Sequence, residues 1–128
     1  MTILKIEPYK RPETIELDGN LESMQSIVGG LIQAIHPFKE PVALVCNDEG
    51  KLLDLPANRV LVDPETDDIL DIIFGTFFLC GAPADAENFT SLTPEQIKTY
   101  TDLFYDPEII LRTSIGVLVT RIREIERN

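Results

Sequence analysis

Residues Val42 to Leu61, VALVCNDEGKLLDLPANRVL, limit what the chain can fold into more than any other stretch. An apolar run stops at Asn47-Asp48-Glu49-Gly50 and resumes at Lys51-Leu52-Leu53. Turn formers ending in glycine between two apolar runs predict a β-hairpin, 42–46 against 51–53. Pro56 then fixes its own φ and pushes Leu55 toward an extended conformation, so Asn58 and Arg59 follow a rigid corner. A polar pair placed there holds the turn together or holds a ligand. Arginine carries five donors suited to carboxylate or phosphate. In so acidic a chain, internal pairing with Asp48, Glu49 or Asp54 is the favoured reading of Arg59.

The flanking sequence extends the pattern. Thr2 to Glu7 alternates as a strand, Pro8 to Pro12 forms a turn, and Glu13 to Leu17 reads as a second short strand. Leu21, Met24, Ile27, Val28, Leu31, Ile32 and Ile35 recur at helical spacing, which predicts a helix over 21–35. Asp18 or Asn20 would cap it and Pro37 would stop it. His36 would then lie near the last carbonyls of that helix. Gly29-Gly30 would fall mid-helix and cost about 1 kcal/mol each relative to alanine. Close packing on a sheet would offset that cost; so would a ligand or partner approaching the backbone.

Val60 to Val62 reads as a short strand, Ile69 to Phe74 as an extended or short helical connection, and Thr76 to Cys80 as a strand. Thr93-Pro94-Glu95-Gln96 opens a second helix: Thr93 is the cap, Pro94 the first helical position, and Gln96 completes a capping box. That helix runs to about Phe104. Ile115 to Ile125 fits both periods, and its β-branched content favours a strand. The sum is one α+β domain over residues 1–128, with roughly six short strands in an antiparallel-type sheet and two helices.

Composition narrows the function classes. The formal charge is −11, with Arg112, Arg121, Arg123 and Arg127 making the C-terminal end basic. Such acidity disfavours direct contact with nucleic acid and suits a partner with a basic surface. The turn Asp63 to Asp71 gathers Asp63, Glu65, Asp67, Asp68 and Asp71, but without the spacing of a calcium loop. Asp67 and Asp68, side by side, are its candidate partner-binding residues. One His with two distant Cys supplies no zinc site, and Cys46 and Cys80 read as buried free thiols. No phosphate loop and no G-x-S-x-G occurs. Neither catalysis, nor a cofactor, nor a metal is expected. No apolar run reaches the length of a membrane span, and no leader is expected before the first strand, so a cytosolic protein is anticipated.

Four blocks carry a resemblance: Ile27-Val28-Gly29-Gly30, Cys46 to Leu52 (CNDEGKL), Leu55 to Arg59 (LPANR), and Gly75 to Gly81 (GTFFLCG). In order and spacing, over about residues 24 to 85, the chain resembles an uncharacterised domain family. That family occurs in small proteins of bacteriophages, plasmids and other mobile elements. The resemblance implies a setting, the cytoplasm of a bacterial host cell, and no activity. It leads to the expectation of a non-catalytic accessory protein that binds and modulates or inhibits a host protein, as in counter-defence. The alternative is a binder of a small anionic, nucleotide-like ligand, with Gly29, Gly30, Asn58 and Arg59 near the pocket.

Overall fold

The computed structural model describes residues 1–123. In chain order it runs β1 (Thr2–Ile6), β2 (Glu13–Glu16), α1 (Leu21–Val28), β3 (Ile32–Ile35), β4 (Val42–Asn47), β5 (Ala57–Val62), β6 (Ile69–Phe74), β7 (Phe77–Gly81), α2 (Pro94–Leu103), β8 (Glu108–Thr113) and β9 (Gly116–Arg121). Five strands form one sheet in the order β2-β1-β7-β4-β3, with every neighbour antiparallel. β5 pairs with β6, and β8 with β9, as two further two-stranded sheets.

The large sheet is covered on both faces, which is why β4 and β7 read as unbroken apolar runs. Alternation divides their side chains. Ala43, Val45, Phe78 and Cys80 meet Ile3 and, from α1, Met24 and Val28. Val42, Leu44, Phe77 and Leu79 meet Leu61 and Ile73 of the β5–β6 hairpin, and Tyr100 and Phe104 at the end of α2. A helix therefore covers one face of the sheet, and a hairpin with a second helix covers the other.

The α+β class and the two helices stand, but the described residues hold nine strands rather than six. Three segments depart from expectation. The helix expected over 21–35 ends at Val28: Gly29 takes a left-handed φ of 80°, and its N–H and that of Gly30 both donate to the Gln25 carbonyl. The glycine pair is a helix stop, not a mid-helix defect. Ile32 and Ile35, which also fit the helical period, belong to β3, and His36 follows that strand rather than a helix.

The expected hairpin 42–46/51–53 is also replaced. β4 pairs with β3 and β7, and residues 48–54 coil back as successive turns, with Leu53 N–H on Glu49 O at 2.9 Å. Leu52 stays 83% exposed, so its apolar character marks no strand here. Ile69 to Phe74 is a strand, β6, and β8 was not anticipated at all. Over Ile115 to Ile125 the strand β9 occupies 116–121, while residues 124 and 125 lie outside the described residues.

Candidate functional site

Pro56 and β5 set up the polar centre. The Pro56 carbonyl accepts from Gly75 N–H at 2.7 Å, fixing the corner against the β6–β7 junction. Asn58 and Arg59 follow, and both are fully buried. Asn58 Nδ2 donates to the carbonyls of Ile6 and Gly75, each at 2.9 Å. Arg59 Nε and Nη2 donate to Phe104 O at 3.3 and 3.0 Å. Nη2 also donates to Lys10 O at 2.8 Å, and Nη1 to Asn58 Oδ1 at 2.8 Å and Asn58 O at 3.3 Å.

All five N–H groups of the guanidinium are thus directed at internal oxygens. Phe104 caps α2, so the cation also meets the negative end of that helix. Burial pulls the guanidinium down to about 10, against the opposing pull of the Glu108 and Asp106 carboxylates, and leaves it charged at neutral pH. Internal pairing was expected of Arg59, yet its partners are carbonyls rather than Asp48, Glu49 or Asp54. Glu108, itself buried, accepts from Val60 N–H at 2.9 Å and lies 3.4 Å from Arg121 Nε. Sequence reasoning missed Glu108; the signal was a lone acid two residues after Asp106, directly before an apolar run.

Gly29 and Gly30 lie elsewhere, at the end of α1, which packs on the opposite face of the five-stranded sheet from Arg59. Their neighbour is Asn47, whose Nδ2 donates to Val28 O at 3.1 Å and whose Oδ1 accepts from Glu49 N–H at 2.8 Å. A Cβ on Gly30 would sit 3.0 Å from Asn47 Nδ2. The structure therefore does not bring Gly29 and Gly30 together with Asn58 and Arg59.

Asp67 and Asp68 occupy the β5–β6 turn. Asp63 pins that turn: its Oδ1 accepts from Glu65 N–H, its carbonyl from Asp67 N–H, and its N–H donates to Asp68 O, all between 2.8 and 2.9 Å. Asp67 takes φ 61°, a conformation Asp tolerates better than most residues. Both side chains are exposed, and neither forms an ion pair among the described residues.

Two concavities flank these elements. A cleft of about 280 Å³ lies between the 48–52 turn and β6, walled by Cys46, Asp48, Glu49, Asp71 and Phe74, with Lys51 Nζ 3.4 Å from Asp71 Oδ1. A groove of about 630 Å³ runs between the β5–β6 hairpin and β9, with Val60, Val62 and Ile69 below Asp67, Arg121 and Arg123. Among the described residues no cluster of His, Cys, Asp and Glu is arranged for a metal ion. Cys46 and Cys80 are buried free thiols, pushed up to about 11 and about 12 by burial, with Asp71 and Asp48 adding to the rise at Cys46.

Residues 1–105 match a family described as a domain of unknown function, DUF3846. The chain belongs to this family. The DUF3846 match takes in every element through α2, together with both carbonyls that Arg59 reaches in other segments, those of Lys10 and Phe104. The β8–β9 hairpin lies beyond it. No curated protein and no solved structure is similar enough to match. Among the described residues no helix is long and apolar enough to cross a membrane.

Proposed function

We propose that this protein is a non-catalytic accessory protein of a phage or other mobile element, which binds a host protein through its acidic surface and modulates or inhibits it. The observation that carries the reading is the β5–β6 turn. Asp63 spends its polar groups holding the backbone, and the carboxylates of Asp67 and Asp68 are presented to solvent on that fixed frame. Charges held this way meet a basic partner without first being ordered. The residues best suited to chemistry, Asn58 and Arg59, have their polar groups consumed inside the fold. The four residues of the nucleotide-binding alternative lie on opposite faces of one sheet, which favours the first reading over it.

The test is association kinetics with a protein captured from the host. Asp67→Lys with Asp68→Lys should leave folding nearly unchanged, because exposed charges contribute little to stability. It should slow the on-rate, and the wild-type on-rate should fall as salt rises. An on-rate indifferent to both would remove this turn from recognition.

A further inference from the structure

The five-stranded sheet has two outer strands, and only one of them is guarded. β2 carries Glu13 and Glu16, both exposed, and charges on an edge strand deter further pairing. β3, IQAI, carries no charge and no proline, and its register against β4 is unbroken. That register shows which of its backbone groups are spare. Asp48 N–H donates to Leu31 O at 2.8 Å, so residues 31, 33 and 35 turn their N–H and carbonyl groups toward β4. Those of Ile32 and Ala34 point the other way, to the open side of the sheet, where no strand follows among the described residues.

One face of β3 is closed: Ile32 packs against the cluster that holds Met24 and Val28 of α1. On the other face Gln33 and Ile35 join Cys46 in lining the cleft of about 280 Å³. Asp48, Glu49 and Asp71 stand along that cleft, and Lys51 is the one cation among its described lining residues. Lys51 meets Asp71, whereas neither Asp48 nor Glu49 forms an ion pair among the described residues.

We propose that the basic host partner binds as an extended segment, added beside β3 as a sixth strand, with alternate lysine or arginine side chains reaching into this cleft. The inference rests on the reading above and deepens it: the acidic turn attracts the partner, and the β3 edge holds it. In strand addition, main-chain hydrogen bonds supply affinity and pockets for alternate side chains supply specificity. Ile32 and Ala34 offer the first, and the cleft offers the second. Charge chooses the occupant. A second copy would bring another formal charge of −11 to an acidic cleft, whereas a lysine or arginine there meets Asp48 and Glu49.

The probe is a capped hexapeptide of alternating valine and lysine, with a valine–glutamate hexapeptide as control, and the readout is amide hydrogen exchange of the full chain. The lysine peptide should slow exchange at Ile32 and Ala34 and bind more weakly as salt rises; the glutamate peptide should not bind. Ala34→Pro is the decisive variant. Proline removes an outward N–H and no bond to β4, so the fold should survive while peptide affinity falls about tenfold. The captured host protein should leave this variant about tenfold faster, with its on-rate unchanged. Should the proline variant fold poorly, Asp48→Asn with Glu49→Gln is the substitute, and it should weaken the lysine peptide and flatten its salt dependence. A lysine peptide that leaves both amides exchanging freely overturns the proposal. So does a folded proline variant, or the substitute, that binds as the wild type does. Host release quickened by Ala34→Pro, with an on-rate indifferent to Asp67→Lys and Asp68→Lys, would remove the turn and keep the edge; the reverse pattern would remove the edge and keep the turn. A wild type that dimerises where the proline variant does not also overturns the proposal, and gives the edge to a second copy.

Discussion

Replacing Arg59 by methionine tests the account of the polar centre most directly. The side chain is fully buried, and its five N–H groups reach oxygens of Lys10, Asn58 and Phe104. Methionine fills much of the volume and supplies no donor. The Lys10 and Phe104 carbonyls and Asn58 Oδ1 are then left short of partners, at about 1–3 kcal/mol for each acceptor stranded away from water. Relief from burying a cation returns part of that. The net expectation is a loss of about 3–5 kcal/mol, the range for removing one member of a buried charged network. Against a total of about 5–15 kcal/mol for a domain, that is enough to shift the fold toward unfolding at moderate temperature. Arg59→Lys keeps the charge but cannot span the three acceptors, so it should lose about 1–3 kcal/mol. Urea unfolding followed by circular dichroism suits a chain without tryptophan. A methionine variant within about 0.5 kcal/mol of wild type, or a lysine variant worse than methionine, would refute the reasoning.

Two further outcomes follow from the same structure. Gly81→Ala should destabilise by about 1–3 kcal/mol in the same urea assay, since a Cβ there would sit 2.7 Å from Ser91 O and closer still to Thr90 Oγ1; unchanged stability would show that the 81–91 contact yields freely. Alkaline pH should weaken the fold: thiols free in the unfolded chain ionise near 9.0, whereas Cys46 and Cys80 hold their protons to about 11 and about 12. The folded state binds more protons in that window, so stability falls as pH rises, by about 1.4 kcal/mol per pH unit for each thiol. Tyr100, pushed up to about 12 chiefly by burial, adds to the fall above its ordinary value of 10.0, while Arg59, lowered to about 10, opposes it. A flat urea midpoint from about pH 8.5 to 10 would contradict this balance.

What the sequence made legible was mostly local chemistry. The Thr93–Gln96 capping box forms as expected, with reciprocal bonds of 3.0 and 3.1 Å, because its geometry depends on four adjacent residues. TFFLC reads as a strand because burial on both faces leaves it no polar positions. The longer helix over 21–35 failed because Leu31, Ile32 and Ile35 satisfy period 3.6 by coincidence, while the decisive signal was Gly29 at positive φ. The 51–53 strand failed because β4 finds its partners in β3, 9 to 15 residues away, and in β7, 33 to 39 residues away. At the candidate site, internal use of Arg59 could be expected from charge alone. Its partners could not, since Lys10 O and Phe104 O are ordinary backbone groups brought close only by the finished fold.

Those two carbonyls place a condition on the order in which the protein can be completed. Arg59 closes one loop of 49 residues toward the amino end and another of 45 toward the carboxyl end. A growing chain exposes β5 long before Phe104 has been synthesised, so the guanidinium must remain in water until α2 arrives. Burying it earlier would strand donors that only the last helix of the family domain can satisfy. Closure of the β5–β6 hairpin over the large sheet is therefore coupled to the docking of α2. A slow, long-range step of this kind sets the pace in chains whose contacts are far apart in sequence. One buried cation thereby links the first turn, the middle of the chain and its second helix into a single cooperative event.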